Sequence, residues 1–172
     1  MAPIIITERL TLREFIPGDA AFILQLLNTE SWIRYIGDRD VHTIADAEAY
    51  LQNGPISSYR HHGYGLWLVS LNNLNIPVGT CGIIKRDTLD HPDIGFAFLP
   101  EHTGKGLAQE CAAATVQFAF EHLHLPELWA ITLPDNRNSI RLLERVGMSL
   151  QEEIPWPQTN EILLKYTISK AG

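Results

Sequence analysis

The stretch "DIGFAFLPEHTGKGLAQECAAA", residues Asp93–Ala114, decides the fold that this sequence predicts. Its first part, as far as Pro100, is short and apolar, which is typical of a β-strand. From Lys105 to His122 the apolar residues recur at helical spacing, so we predict one long helix there. Gly104 and Gly106 lie between the two elements. A strand that passes through glycines into a helix is typical of an anion site, because the first N–H groups of a helix have no partners within it.

The spacing of the glycines excludes two common phosphate loops. A Walker A loop needs a glycine where Leu99 stands and a Ser or Thr directly after Lys105, where this chain has Gly106. A dinucleotide fingerprint needs a third glycine where Gln109 stands. Two interpretations stay open for the stretch by itself: a backbone seat for a pyrophosphate, and a glycine-rich turn without a ligand.

Composition favours one soluble domain spanning residues 1–172. The chain is 45% apolar and 19% charged, and its net charge of −7 argues against a nucleic-acid partner that needs a broad basic surface. No apolar run reaches the length of a membrane span, and the N-terminus lacks the basic start of a signal peptide. Cys81 and Cys111 fit no metal spacing, so we expect two buried free thiols, no metal and a cytoplasmic location.

Hydrophobic patterns along the chain predict a strand, two helices, three strands, a helix, a strand, a helix and two strands, in that order. The three middle strands are joined by short turns and predict an antiparallel meander. The second helix opens with a capping box from Thr43 to Asp46, and we expect residues 53–55 (Asn-Gly-Pro) to end it. We predict a loop over Ser57–His62. The fold class is α/β, of the α+β type, with a mixed, mostly antiparallel sheet of about six to seven strands flanked by about four helices.

Four segments in this order resemble the GNAT superfamily of acyl-CoA N-acyltransferases, and more narrowly the branch that includes the ribosomal-protein N-acetyltransferases. "TERLTLREF" resembles the opening strand, "PVGTCGI" the central hairpin strand, and Asp93–Ala114 the acetyl-CoA signature. "LPDNRNSIRLLERVGM" resembles the later block that closes the site. The resemblance covers nearly the whole chain, and its specific part is Gly104-x-Gly106 combined with Asn136-x-x-Ser139 and a later Val-Gly pair.

The resemblance implies acetyl-CoA as the co-substrate. The pantetheine arm would pair with a strand edge at Phe96–Phe98, and the pyrophosphate would lie on the backbone amides of Gly104–Ala108. Asn136 would hold the pantetheine or the nearby loop, and Ser139 would lie near the sulfur. The cofactor-binding residues predicted in this way are Phe96, Ala97, Phe98, Thr103, Gly104, Lys105, Gly106, Leu107, Ala108, Asn136 and Ser139.

Glu101 departs from the pattern of the superfamily. Gln or Arg often stands at this position, whereas a carboxylate cannot donate hydrogen bonds and repels phosphate. Two explanations stay open: Glu101 points away, or a neighbour such as His102, Thr103 or Lys105 compensates.

The resemblance also implies direct attack of an amine on acetyl-CoA in a ternary complex. We expect the oxyanion donor to be a backbone N–H near Phe96, with Gly95 marking a β-bulge that leaves this group unpaired. Asp93 is the candidate base, and the alternative for it is an ordinary turn carboxylate at the surface. Many members carry a tyrosine acid where this chain has Leu143, so Ser139 is the nearest candidate for protonating the thiolate.

The acceptor is expected to be a primary amine, either of a small molecule or at a protein N-terminus, and the acidic net charge mildly favours a cationic one. Trp32 and Tyr35 follow the first helix, where this branch places residues that contact the acceptor. Glu152 or Glu153 is a further candidate for reaching the acceptor, although charged strand residues are usually exposed. The protein is expected to be a monomer or a homodimer. The alternative function is a non-catalytic CoA-binding or sensory domain, which the two departures from the family pattern favour.

Overall fold

The structure, a computed structural model, describes residues 2–171 of the chain. Over this range the chain forms eight strands and six α-helices, more of each than predicted but in the predicted fold class. The strands are β1 Ile5–Ile6, β2 Leu10–Glu14, β3 Leu66–Leu71, β4 Ile76–Ile84, β5 Asp93–Phe98, β6 Glu127–Thr132, β7 Ser149–Pro155 and β8 Ile162–Ser169. The helices are α1 Ala20–Leu27, α2 Glu30–Tyr35, α3 Ile44–Leu51, α4 Ser57–His62, α5 Leu107–Glu121 and α6 Arg137–Arg145.

All eight strands form one sheet in the order β1-β2-β3-β4-β5-β6-β8-β7. Every neighbouring pair is antiparallel except β5 and β6, so the predicted mixed sheet and the meander of β3, β4 and β5 are both confirmed. Along these fully described strands, β5 and β6 are bridged at Asp93 and Trp129 alone. Beyond this bridge the two strands diverge, which leaves a split in the middle of the sheet.

Helices cover both faces of the sheet. On one face α5 packs with buried residues such as Leu107 and Cys111 against β4 and β5. On the other face α1 and α3 enclose a second cluster that includes Leu26 and Leu68. Burial on both faces explains why β4, with the sequence "IPVGTCGII", is apolar almost throughout. Each large apolar side chain buried in this way contributes about 1.5–3 kcal/mol to the free energy of folding. The split therefore opens between two layers of helices.

The segment after α3 differs from the prediction. Helix α3 ends at Leu51, close to the predicted end, but residues 53–55 do not interrupt the helical path, and Ser57–His62 is helix α4 rather than a loop. Between α3 and α4 the chain forms one widened π-type turn, Gln52–Ile56, that contains the buried Pro55. The wider turn moves the preceding carbonyls away from the proline ring, so the ring does not break the helical path. Helix α4 is followed by Gly63, whose φ of +79° suits glycine.

Other local predictions are confirmed. Thr43 and Asp46 form the predicted capping box at the start of α3. Cys81 and Cys111 are buried and free. Between residues 2 and 171, no helix combines the length and the apolar character needed to cross a bilayer.

Candidate active site

A cavity of about 1320 Å³ opens at the split between β5 and β6, larger than the roughly 300–1,000 Å³ of an ordinary ligand pocket. Residues from both faces of the sheet line it. One lobe lies between the β5 edge, the start of α5 and α6, and the other lies among α2, the end of α3 and the hairpin between β7 and β8. The two lobes therefore meet at the split.

Nearly all of the predicted site residues lie around this cavity. Those that line it are Trp32, Tyr35, Asp93, Phe96, Ala97, Phe98, Thr103, Gly104, Gly106, Leu107, Ala108, Asn136 and Ser139. Lys105 is the exception, because it is exposed and outside the lining. The structure brings the other predicted residues together from β5, α2, the start of α5, α6 and the loop of residues 103–106, which we call the glycine loop.

The hydrogen bonds of β5 direct the Phe96 amide into the split. The Leu99 N–H donates to the Val78 carbonyl at 2.9 Å, which turns the backbone groups of odd-numbered residues on this strand toward β4. The Trp129 N–H donates to the Pro92 carbonyl at 3.0 Å, so even-numbered residues face β6. Because β6 has diverged at this level of the sheet, the Phe96 N–H faces the cavity without a partner among the described strands.

The predicted bulge at Gly95 is wrong. The pairing of β4 with β5 runs from Gly79–Phe98 to Ile84–Asp93 without a shift of register. Gly95 has a packing role instead, since a Cβ atom there would lie 3.0 Å from the Ile84 side chain. The free edge of β5 arises from the divergence of β6.

The glycine loop and the first amides of α5 (residues 104–109) have the geometry of an anion-binding site, which we call the anion seat. Gly104 and Gly106 have φ angles of +74° and +78°, which glycine adopts without strain. Helix α5 begins at Leu107, two residues later than predicted, and its first internal hydrogen bond runs from the Glu110 N–H to the Gly106 carbonyl at 3.1 Å. The amides of residues 107–109 consequently have no partners inside the helix and carry the positive end of its dipole.

Glu101 does not disturb this seat. It lies in a short 3₁₀ turn, Pro100–His102, where it is exposed and outside the cavity lining. Its neighbours His102 and Thr103 line the cavity. Of the two explanations open from the sequence, the structure supports the one in which Glu101 points away.

Asp93 is a buried carboxylate at the start of β5. It is 1% exposed, so the alternative of a surface turn carboxylate is wrong. Burial raises its pKa to about 6, although the hydrogen bond from Arg86 Nε at 3.0 Å acts in the opposite direction. The Arg86 guanidinium also lies over the ring of Trp156, 5.7 Å from its centroid. The carboxyl group is thus held in place, and its pKa lies well above that of an ordinary aspartate.

Helix α6 presents Ser139 to the cavity and turns Leu143 away from it. The Asn136 side chain caps the helix by accepting a hydrogen bond from the Ser139 N–H at 3.3 Å. Ser139 is half-buried and lines the cavity, whereas Leu143 is 1% exposed within the core. Position 143 therefore plays no part in the site.

The second lobe is aromatic. Trp32 is 4% exposed, and its indole N–H has no hydrogen-bond partner among the described residues. Tyr35 is half-buried, with the Arg34 guanidinium 4.8 Å from its ring centroid. Both belong to the short helix α2, which the sequence did not predict. Tyr50 of α3 also lines this lobe, and burial raises its pKa despite the opposing charge of Arg39.

A family model for the acetyltransferase (GNAT) domain matches residues 9–149. The chain belongs to the GNAT acetyltransferase family. The resemblance to the GNAT superfamily is thereby confirmed, and so is the predicted enzyme class, acyl-CoA N-acetyltransferase.

Relatives of this GNAT domain cover nearly its whole length. The uncharacterized N-acetyltransferase YoaA of Bacillus subtilis is 28% identical over 86% of this chain and 83% of that protein. The acetyltransferase of Agrobacterium tumefaciens is 25% identical, with a TM-score of 0.83 over 99% of this chain and 96% of that one. RimL, a ribosomal L7/L12 α-N-protein acetyltransferase in complex with coenzyme A, shares the fold at 15% identity, with a TM-score of 0.84 over 98% of both chains.

Sequence reasoning missed several side chains in the cavity of this GNAT domain. Arg86 lies in a turn segment and Tyr50 on a predicted helix, and neither position carries a local signal of function. Trp156 could be noticed as an aromatic residue, but its contact with Arg86 depends on the β7–β8 hairpin. The carboxylates considered on β7 lie outside the lining, and Glu152 instead pairs with Lys165 at 2.8 Å.

Proposed function

We propose that this protein transfers an acetyl group from acetyl-CoA to a primary amine by direct attack in a ternary complex. The observation that carries the proposal is the cavity in which a free strand edge and a glycine seat face an aromatic lobe across the sheet. Both substrates can occupy such a cavity together, so the reaction needs no covalent enzyme intermediate.

Acetyl-CoA is proposed to bind in the first lobe. The pantetheine arm adds to the free edge of β5 as an extra strand, and the Phe96 carbonyl accepts a hydrogen bond from it. The pyrophosphate lies on the amides that follow Gly104, at the N-terminus of α5. Lys105 does not line the cavity and its carbonyl accepts a hydrogen bond from Arg9, so its part is limited to the peptide that carries the Gly106 N–H. The bound coenzyme A of RimL, which has the same fold, supports this assignment.

The chemistry follows from the groups around the split. The neutral amine attacks the thioester carbon, the carbonyl oxygen accepts a hydrogen bond from the Phe96 N–H, and the C–S bond then breaks. The thiolate takes a proton from the Ser139 hydroxyl, which is restored by the proton that the amine loses. Asp93 receives protons from the incoming ammonium group. Three residues of extended strand, roughly 10 Å, separate Asp93 from Phe96, so this transfer runs through intervening solvent.

Binding of the cofactor is the direct test of this function. Isothermal titration of the folded protein with acetyl-CoA should give measurable heat and one site per chain. The variant Gly106→Val should bind at least about tenfold more weakly, because a β-branched residue is strained at a φ of +78° and its side chain faces Arg9 Nη2. Wild-type protein that is folded and shows no heat would rule the proposal out.

Removing the Ser139 hydroxyl should slow turnover without weakening cofactor binding. Ser139→Ala is expected to lower kcat about tenfold or more, since loss of a positioned acid typically costs at least that much, and to change the Kd of CoA less than about twofold. The comparison needs kcat with the best acceptor from an amine panel and the Kd from titration.

Ser149→Ala is the matched control for this substitution. It changes an exposed serine of β7 that lies outside the cavity lining, so kcat and the Kd should both stay unchanged. An unchanged kcat for Ser139→Ala would remove Ser139 from the acid role. The source of the thiolate proton would then be solvent in the cavity, and the rest of the proposed reaction would stand.

The acceptor is proposed to be a primary amine, of a small molecule or at a protein N-terminus, that enters the lobe formed by Trp32, Tyr35 and Tyr50. RimL, by its name, acts on a protein N-terminus, which supports the second class.

The alternative of a non-catalytic CoA-binding domain loses one of its two supports, because Glu101 lies outside the seat. The two free thiols support a cytoplasmic location. The absence of a metal, the absence of a nucleic-acid partner and the monomeric or homodimeric state stay predictions.

A further inference from the structure

Arg9, which directly precedes β2, contacts the glycine loop, which lies 96 residues later in the sequence. Its Nη1 donates to the Lys105 carbonyl at 2.9 Å, and its Nε donates to Glu110 Oε1 at 2.7 Å. Its backbone N–H donates to Glu110 Oε2 at 3.0 Å. One residue thus ties the loop to the first turn of α5.

Glu110 holds the Arg9 guanidinium in place. It also accepts a hydrogen bond from Thr7 Oγ1 at 2.6 Å. Partial burial acts to raise the pKa of Glu110, but the hydrogen bonds from Thr7 and Arg9 outweigh it and hold the pKa below its usual value. The charged carboxylate and the planar guanidinium restrict each other to one geometry.

The bond to Lys105 sets the direction of the next amide. The Lys105 carbonyl and the Gly106 N–H belong to one planar trans peptide and point in opposite directions. Since the carbonyl faces Arg9, the Gly106 N–H is directed away from Arg9. Gly106 lines the cavity, whereas Arg9 and Lys105 do not. The N–H therefore faces the proposed pyrophosphate seat.

We propose that Arg9 is a positioning residue that holds the Lys105–Gly106 peptide in the orientation that binds the pyrophosphate of CoA. Glycine adopts positive and negative φ with similar ease, so without Arg9 this peptide can turn over at low cost. The turned peptide presents a carbonyl oxygen, which repels phosphate. The inference rests on the proposed function and adds a residue to it that does not line the cavity.

The test compares Arg9→Met, which removes the donors, with Arg9→Lys, which keeps a charged donor. We expect Arg9→Met to raise the Kd of CoA about tenfold and Arg9→Lys to raise it less than about threefold.

In amide NMR spectra, the Gly106 signal should shift on CoA binding in the wild type and in Arg9→Lys but not in Arg9→Met. With acetyl-pantetheine, which lacks the pyrophosphate, kcat/KM should be the same for all three proteins. Arg60→Met, at an exposed arginine of α4 outside the lining of this cavity, is the control and should match the wild type.

The outcomes separate this inference from the function on which it rests. Folded wild-type protein that does not bind CoA contradicts the proposed function. Wild-type protein that binds CoA, with Arg9→Met within twofold of it, overturns the role of Arg9. An equal loss with acetyl-pantetheine also overturns it, because the effect would then be general. If Arg9→Met does not fold, Arg9→Lys decides, and loss of its Gly106 shift on CoA binding overturns the proposal.

Discussion

Replacing the Phe96 amide with an ester should lower kcat about 100-fold or more, the usual cost of removing one oxyanion donor. The ester, introduced as the α-hydroxy analogue of phenylalanine, removes the N–H and keeps the side chain. This N–H faces the split rather than β4, so the pairing between β4 and β5 retains its hydrogen bonds. The measurement is kcat with a saturating acceptor, together with the Kd of CoA.

An ester at Val69 provides the matched control. Val69 is buried at the centre of β3, between β2 and β4, and lies outside the cavity lining. The same chemical change there should lower stability and leave kcat within about threefold of the wild type. Equal kcat losses for the two esters would show that the effect at Phe96 comes from weakening the sheet.

Asp93→Asn should lower kcat about 100-fold and remove a step from the pH profile. In the wild type, activity should rise with pH through about 6, where the buried Asp93 loses its proton, and then level off. The asparagine variant cannot accept a proton and should show no step at this pH. The profile is measured as kcat between about pH 5 and 8, with Glu153→Gln, an exposed change on β7, as the control. A step near pH 6 that persists in Asp93→Asn would assign it to another group.

The same substitution should not reduce stability at neutral pH. The pKa of Asp93 is raised from 3.8 to about 6 on folding, so its protonated form favours the folded state. That contribution is present below the unfolded value and is lost as the pH rises through about 6, which costs about 3 kcal/mol as an upper limit. Asparagine avoids this cost, and Arg86 remains partly hydrated. Denaturant unfolding at about pH 7.5, above the folded pKa, should therefore give an unfolding free energy no lower than that of the wild type.

The sequence by itself determined the local features of this protein. Alternation and helical spacing identified the three central strands and the long helix α5, because these patterns follow from which face each element buries. The glycines at 104 and 106 and the capping box at Thr43 depend on neighbours only a few residues away. The resemblance to the GNAT family rested on the same local segments, and it pointed to nearly all of the predicted site residues that now line the cavity.

Only the tertiary structure decided the features that depend on distant contacts. The free edge at Phe96 exists because β6 diverges from β5, and the local bulge predicted from Gly95 is absent from the fully described pair β4–β5. Burial among other elements raises the pKa of Asp93 to about 6, against the opposing effect of Arg86. The contact of Arg9 with the glycine loop spans 96 residues of sequence. Such contacts form when the chain folds, and no spacing within a short segment encodes them.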